Sequence, residues 1–240
     1  MFGTNEDGSV PSGLSASAYA TGDGGNLTLS TDKLLVKDGA KVSTDTHGRG
    51  KGGDLTVNAQ DVQVIGISQN NKFPSGLSAT ANSRSTGDGG NLTLSTNKLL
   101  IQDRAVVSTA TFGEGKGGDL TIYADTLNLE DDAMITAQST DFGISDLIVS
   151  ENIEIKLRGI KGISGNIEIN VKDNFNADNG QVITQSQQSS GGNINITAGR
   201  NIVLRNDSNI RTALQSTEGS GGNISRSEER RVGKECRSRW

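Results

Sequence analysis

Gly89-Gly90-Asn91-Leu92-Thr93-Leu94 recurs along almost the whole chain, and a chain that repeats itself this way folds as a stack of like units. Earlier copies are Gly24-Gly25-Asn26-Leu27-Thr28-Leu29 and Gly52-Gly53-Asp54-Leu55-Thr56-Val57. Later ones are Gly117-Gly118-Asp119-Leu120-Thr121-Ile122, Ser164-Gly165-Asn166-Ile167-Glu168-Ile169, Gly191-Gly192-Asn193-Ile194-Asn195-Ile196 and the shorter Gly221-Gly222-Asn223-Ile224-Ser225. The paired glycines permit backbone angles that residues with a Cβ avoid, so a sharp turn is expected there. The four residues after them alternate polar and apolar, the period of a strand with one buried face. Leu92 and Leu94 are expected to point inward, Asn91 and Thr93 outward.

Residues 2–65 and 66–130 are two copies of a longer unit, and each holds two glycine motifs 28 residues apart. One such piece predicts three short strands, Asn26–Ser30, Leu34–Val36 and Ala40–Thr46, with turns at residues such as Lys37-Asp38-Gly39. Apolar parity repeats at Leu99/Ile101, Leu127/Leu129 and Ile202/Leu204. No stretch shows the 3.6-residue helical period. The expected fold is all-β, a right-handed parallel β-helix with about three short strands per coil of roughly 28 residues, each coil stacked ~4.8 Å above the last.

Composition fits a slender aliphatic interior. Only 32% of residues are hydrophobic and 3% aromatic, while Gly numbers 32. The periodic placement of the apolar residues argues against disorder. A net charge of −5 argues against a nucleic-acid partner. No stretch reads as a secretory leader or a membrane span. The single Cys236 forms no internal disulfide. Residues 1–225 are expected to form one array, with an irregular coil or loop at 141–163 that carries its own alternating run, Asn152–Leu157. The first copy of the unit opens in mid-coil at Phe2, and Arg226 falls where the strand pattern requires an apolar residue. Open ends of that kind predict fraying or end-to-end self-association. Residues 226–240, RSEERRVGKECRSRW, lack the repeat pattern and are expected to be a disordered, non-native tail; they resemble a translated sequencing adapter.

The segments GDGGNLTL (22–29 and 87–94), KLLVKDGAKVST (33–44), TFGEGKGGDLTI (111–122) and FPSGLSA (73–79) resemble the repeat region of filamentous-haemagglutinin-type exoproteins, particularly large cyanobacterial ones secreted by a two-partner route. The resemblance covers about 2–225. It implies a right-handed parallel β-helix, an outer-membrane transporter as the parent protein's secretion partner, an extracellular or cell-surface location, and partners on host or neighbouring cell surfaces or their glycans.

Residues with catalytic or metal-binding chemistry are few, so the expectation is no enzyme, no cofactor, no metal and no catalytic residue. Asp131-Asp132, an adjacent acidic pair inside the array, occupies the position of Asp38-Gly39 and reads as a corner rather than as an acid and base pair. Glu151, Glu154 and Glu168 read as solvated charges. His47, the sole His, aligns with Phe112 and supports neither a triad nor a transition-metal site. The GDGG runs at 22–25 and 87–90 lack the helix and the Lys of a phosphate loop. Asn5-Glu6-Asp7-Gly8 offers oxygens for calcium, but its counterpart Gln69-Asn70-Asn71 carries no charge.

The expected role is therefore structural and adhesive, as a segment of a secreted bacterial surface exoprotein. A polysaccharide-active β-helix enzyme or carbohydrate-binding module, and a surface-layer or matrix element, are the alternatives. The parity assignment makes a direct prediction. Leu92→Asp should unfold the central units, because a lone buried carboxylate costs several kcal/mol, comparable to the stability of a domain. Thr93→Asp should shift the melting temperature only slightly; equal melting of the two variants would refute the inward and outward assignment.

Overall fold

The computed structural model describes residues 3–5, 10–82, 85, 87–112, 115–139, 162–186, 191–214 and 219–228. Among them there are sixteen strands and no helix. The strands form two wide parallel sheets in a solenoid-like stack. The first sheet is built on β2 (Leu27–Lys37), β4 (Leu55–Ile65), β6 (Leu92–Gln102), β8 (Leu120–Glu130), β10 (Ile167–Val171), β13 (Ile194–Ala198) and β16 (Ile224–Glu228), paired in that order. β11 (Asn174–Asp178) and β14 (Asn201–Arg205) continue it beside β8. The second sheet runs β1 (Gly13–Ser15), β3 (Lys41–Thr46), β5 (Gly76–Ala81), β7 (Val106–Thr111), β9 (Met134–Ser139), β12 (Gln181–Ser186) and β15 (Asn209–Leu214).

Register follows the motif. Leu27, Leu55, Leu92, Leu120, Ile167, Ile194 and Ile224 stand on one another in a single inward column. From one layer to the next the chain advances 28, 37, 28, 47, 27 and 30 residues. The underlying period is thus 27–28, lengthened where segments are inserted. Each inward Leu or Ile contributes about 1.5–3 kcal/mol when fully buried, and the columns repeat that gain layer after layer. The main core is one continuous, largely aliphatic cluster, with Phe175 its largest fully buried side chain, and a small separate cluster joins Val106, Met134 and Ile183.

Three separate strands per unit occur in the layers of β10, β11 and β12 and of β13, β14 and β15, whereas in four layers one strand stands where two were expected. β2, β4, β6 and β8 each run unbroken through 11 residues. A corner still lies inside them. Asp32, Gln60 and Asn97 are skipped by the ladder, so inward parity slips by one there and both Val57 and Val62 face the core. In later layers the corner separates β10 from β11 and β13 from β14. The corner before the second sheet uses left-handed residues, as the Asp and Gly content predicts: Asp38 at φ 56° and Gly39 at 88°, Asp131 at 53° and Asp132 at 60°, Asn179 at 54° and Asn206 at 50°. Arg104 holds the same conformation at 63°, a costly one for a side chain that cannot bond locally as Asn does.

The motif glycines act differently from the expectation. None of the pair glycines Gly24, Gly25, Gly52, Gly53, Gly89, Gly90, Gly117, Gly118, Gly191 and Gly192 has a positive φ. They are small because the layers touch there. A Cβ on Gly90 would lie 1.9 Å from the carbonyl oxygen of Gly53, one on Gly118 1.8 Å from that of Gly90, and one on Gly192 1.8 Å from that of Gly165. The motif's Asn or Asp is likewise not free at the surface. The backbone N–H of Asp54 donates to Asn26 Oδ1 at 2.8 Å, Asn91 N–H to Asp54 Oδ1 at 2.8 Å and Asp119 N–H to Asn91 Oδ1 at 2.9 Å. The series continues through Asn166, Asn193 and Asn223.

The insertion in the 37-residue layer is a closed loop, Gly66–Ser75. Ser75 N–H donates to the Gly66 carbonyl at 2.9 Å, and Ile67 and Pro74 bridge antiparallel. Ser68 Oγ accepts from the N–H groups of Phe73 and Lys72. The loop packs on the Asp38–Gly39 corner, where Ser75 Oγ accepts from Gly39 N–H at 3.0 Å. The long insertion expected at 141–163 falls, up to residue 161, outside the described residues, as do 229–240 of the tail. Arg226–Glu228 pair in β16, with Arg226 beside Ile196, so strand pairing runs three residues into the stretch expected to lack it.

Gly118→Ala should destabilise the chain by about 1–3 kcal/mol or more, since rigid backbone has to move to admit the methyl group. Gly22→Ala, with nothing within 4 Å of the new Cβ, should be neutral or slightly stabilising. Chemical denaturation of both variants is the check, and comparable stability would remove the close-approach explanation.

Candidate functional site

Outward positions of β3, β5 and β7 lie in register and form the floor of a pocket. Lys41, Gly76 and Val106 make one row, Ser43, Ser78 and Ser108 the next, and Asp45, Thr80 and Ala110 the third. Asn82 and Phe112 extend the floor by the same interlayer bonding, Asn82 N–H to the Thr46 carbonyl and Phe112 N–H to the Ala81 carbonyl. The Gly66–Ser75 loop closes one side and sets the Phe73 ring 5.8 Å from Lys41 Nζ. The cavity measures ≈190 Å³ and includes Lys41, Asp45, Phe73, Asn82, Ser108 and Phe112 among its walls.

Its two charged floor residues sit under strain of desolvation. Burial holds the Asp45 carboxyl above its ordinary range, against hydrogen bonds from Ser43 and Thr80 and the nearby Lys41 and His47. Burial also holds the Lys41 ammonium below its ordinary range, opposed by Asp45. Ser108 is 1% exposed and its hydroxyl has no hydrogen-bond partner among the described residues. A buried polar atom without a partner costs roughly 1–3 kcal/mol, so the floor is built at a cost to stability.

The residues singled out in the sequence lie elsewhere or at the rim. His47 is exposed, stacked on Tyr19 at 4.6 Å between ring centroids, with Asn82 Nδ2 3.5 Å from its Nε2. Tyr19, His47, Asn82 and Phe112 occupy equivalent positions in successive layers, which explains the His47 to Phe112 alignment. Asp131 accepts from Gln102 Nε2 at 2.8 Å and Asp132 from Asn179 Nδ2 at 2.9 Å; both belong to the corner. Glu168 accepts from Asn170 on the outer face. In the GDGG runs, Asp23 and Asp88 accept from Lys51 and Lys116 N–H, and the Gly24 and Gly89 amides donate to the Lys51 and Lys116 carbonyls, so these amides are committed to interlayer bonds. Glu6–Gly8 of the calcium candidate, and Glu151, Glu154 and Cys236, fall outside the described residues. Asn5 Oδ1 accepts from Val10 N–H, and Asn70 Oδ1 from Lys72 N–H, so each of these oxygens closes its own turn. Among the described residues no group of three or more His, Cys, Asp or Glu converges on a metal position.

Sequence reasoning passed over the pocket residues. The signal was present in the outward parity of Lys41, Ser43, Asp45 and His47, with two charges on one strand face next to an insertion. A second, open groove of ≈580 Å³ crosses the first sheet at its internal corner, past Tyr123, which is 47% exposed, and the Lys172–Asp125 ion pair at 3.4 Å.

No protein-family model, curated protein or solved structure matches the chain.

The raised carboxyl of Asp45 sets a pH prediction. The folded state binds that proton more tightly than the unfolded one, so the contribution is most favourable below the ordinary carboxyl range and is lost as pH rises through the folded value. Asp45→Asn should therefore gain in melting temperature relative to the parent between pH 3 and pH 7. A difference that stays flat over this range would show the carboxyl to be unshifted.

Proposed function

We propose that this chain is a structural and adhesive segment of a secreted bacterial surface exoprotein, a right-handed parallel β-helix of three short strands per coil that extends from a cell and displays its outer face. The observation that carries the reading is the contrast between inside and outside. Inward columns keep one residue type through successive layers, as with Leu27, Leu55, Leu92 and Leu120. An outward column changes at every layer, as with Tyr19, His47, Asn82 and Phe112. That column varies what the chain shows along one edge of the second sheet, while the outward Thr28, Thr56, Thr93 and Thr121 of the first sheet keep one type. The right-handed sense is supported by the strong preference of parallel crossover connections for that hand. The repeat resemblance supports an outer-membrane transporter as the parent's secretion partner and a cell-surface location. The pocket on the second sheet favours a second reading, a carbohydrate-binding module within the same scaffold.

Beads coated with the full chain should be retained on bacterial or host cell layers under flow, and beads coated with the unfolded Leu92→Asp variant should not. Retention no better than that of an unrelated β protein would count against the adhesive reading.

A further inference from the structure

The pocket's chemistry narrows what it could take. Its cavity of ≈190 Å³ lies below the ~300–1,000 Å³ of drug-sized sites, so it suits one ring rather than a chain. Its floor is rich in hydroxyls, from Ser78, Thr80 and Ser108. One carboxylate, Asp45, is a strong acceptor, and the Asn82 amide both donates and accepts. Phe73 and Phe112 offer apolar ring faces and edges. A single carboxylate falls far short of the six to eight oxygens that calcium takes. Asp45 and Lys41 offset each other on the floor, and the pocket's other charge, Lys72, is exposed at the rim where water screens it. A ligand with many hydroxyls that each give and take a hydrogen bond, and with apolar C–H faces between them, meets all of these groups.

We propose that the pocket between the Gly66–Ser75 loop and Phe112 binds one neutral pyranose unit, the terminal sugar of a glycan. Asp45 accepts from sugar hydroxyls, Ser78 and Thr80 line the floor beneath the ring, and Phe73 and Phe112 cover the C–H faces. The inference rests on the adhesive reading and gives that reading its ligand. It also accounts for a floor that keeps a desolvated carboxylate where an apolar residue would be cheaper. Functional sites are where such costs collect.

The test is binding of the full chain to an array of neutral and acidic mono- and oligosaccharides, followed by titration calorimetry with the best neutral sugar. Wild type should bind at least one neutral terminal sugar. Asp45→Asn, which preserves shape, and Phe112→Ala should each weaken binding tenfold or more, while Tyr123→Ala in the open groove leaves it unchanged. Asp45→Asn should lose binding without a lower melting temperature at pH 7, which a purely structural residue would not do. Binding only to acidic sugars, or equal binding by wild type and Asp45→Asn, would overturn the proposal. A chain that holds cells under flow but binds no neutral sugar would overturn the pocket and leave the adhesive reading standing. Sugar binding without cell retention would do the reverse.

Discussion

Contact between backbone and backbone at the glycine corners is the constraint on which the rest depends. Successive layers of a parallel stack are fixed at the strand spacing, ~4.8 Å, by their hydrogen bonds. At the Gly-Gly corner the interlayer approach leaves a Cβ of Gly90 or Gly118 less than 2 Å from a carbonyl oxygen. No side chain relaxes such a contact, because the atom in the way is backbone. Gly therefore recurs wherever a layer starts. Beside it, the Asn or Asp side chain accepts the amide N–H of the corresponding residue in the following layer. The corner is thus both the tightest point of the stack and the place where register is locked. Exposed ion pairs such as Lys33–Asp61 at 3.3 Å and Arg200–Asp173 at 3.2 Å add little, since pairs in water are worth about 0–1 kcal/mol.

This explains which features could be read from the chain. Parity and period were legible because a buried aliphatic column repeats at every layer, so Leu92/Leu94 and Leu99/Ile101 were assigned to the interior and are found there. The corners at Asp38-Gly39 and Asp131-Asp132 were legible because left-handed backbone has a small residue vocabulary. The reason for the motif glycines was misread, since an interlayer clash involves two residues far apart in sequence and leaves no local trace. The merging of the first two strands into β2, β4, β6 and β8 was missed for a similar cause. A corner that keeps its hydrogen bonds on both sides and skips one residue looks, from sequence, like two strands with a gap.

The candidate site was illegible for a different reason. Its parts are ordinary outward residues of three strands, and apart from the Ser43, Ser78 and Ser108 row none repeats. Lys41, Ser43 and Asp45 gain meaning only when Ser78, Thr80 and Ser108 are placed beside them by the ladder. The roof comes from an insertion, Gly66–Ser75, whose interior Asn and Ser side chains serve to fold the loop on itself. In a repeat array, departures from the repeat are the places where new chemistry enters, since the frame already satisfies itself without them.

That division of labour bears on how such a surface could diversify. Changes at inward positions or at motif glycines propagate to the neighbouring layers through the core and the backbone contacts. Changes at outward positions alter one square of the floor and leave the ladder intact. The second sheet goes further: its outer face buries Ser108, Thr136 and Gln138 as well as Val106, Met134 and Ile183. An outer face covered in this way behaves as a second, shallower interior, where a polar residue without a partner carries a penalty that a solvated one does not. Thr136 and Gln138 carry that penalty as Ser108 does, and what separates the floor around Asp45 from them is the cavity that opens beside it, where a group from outside the frame has room to meet the polar side chains.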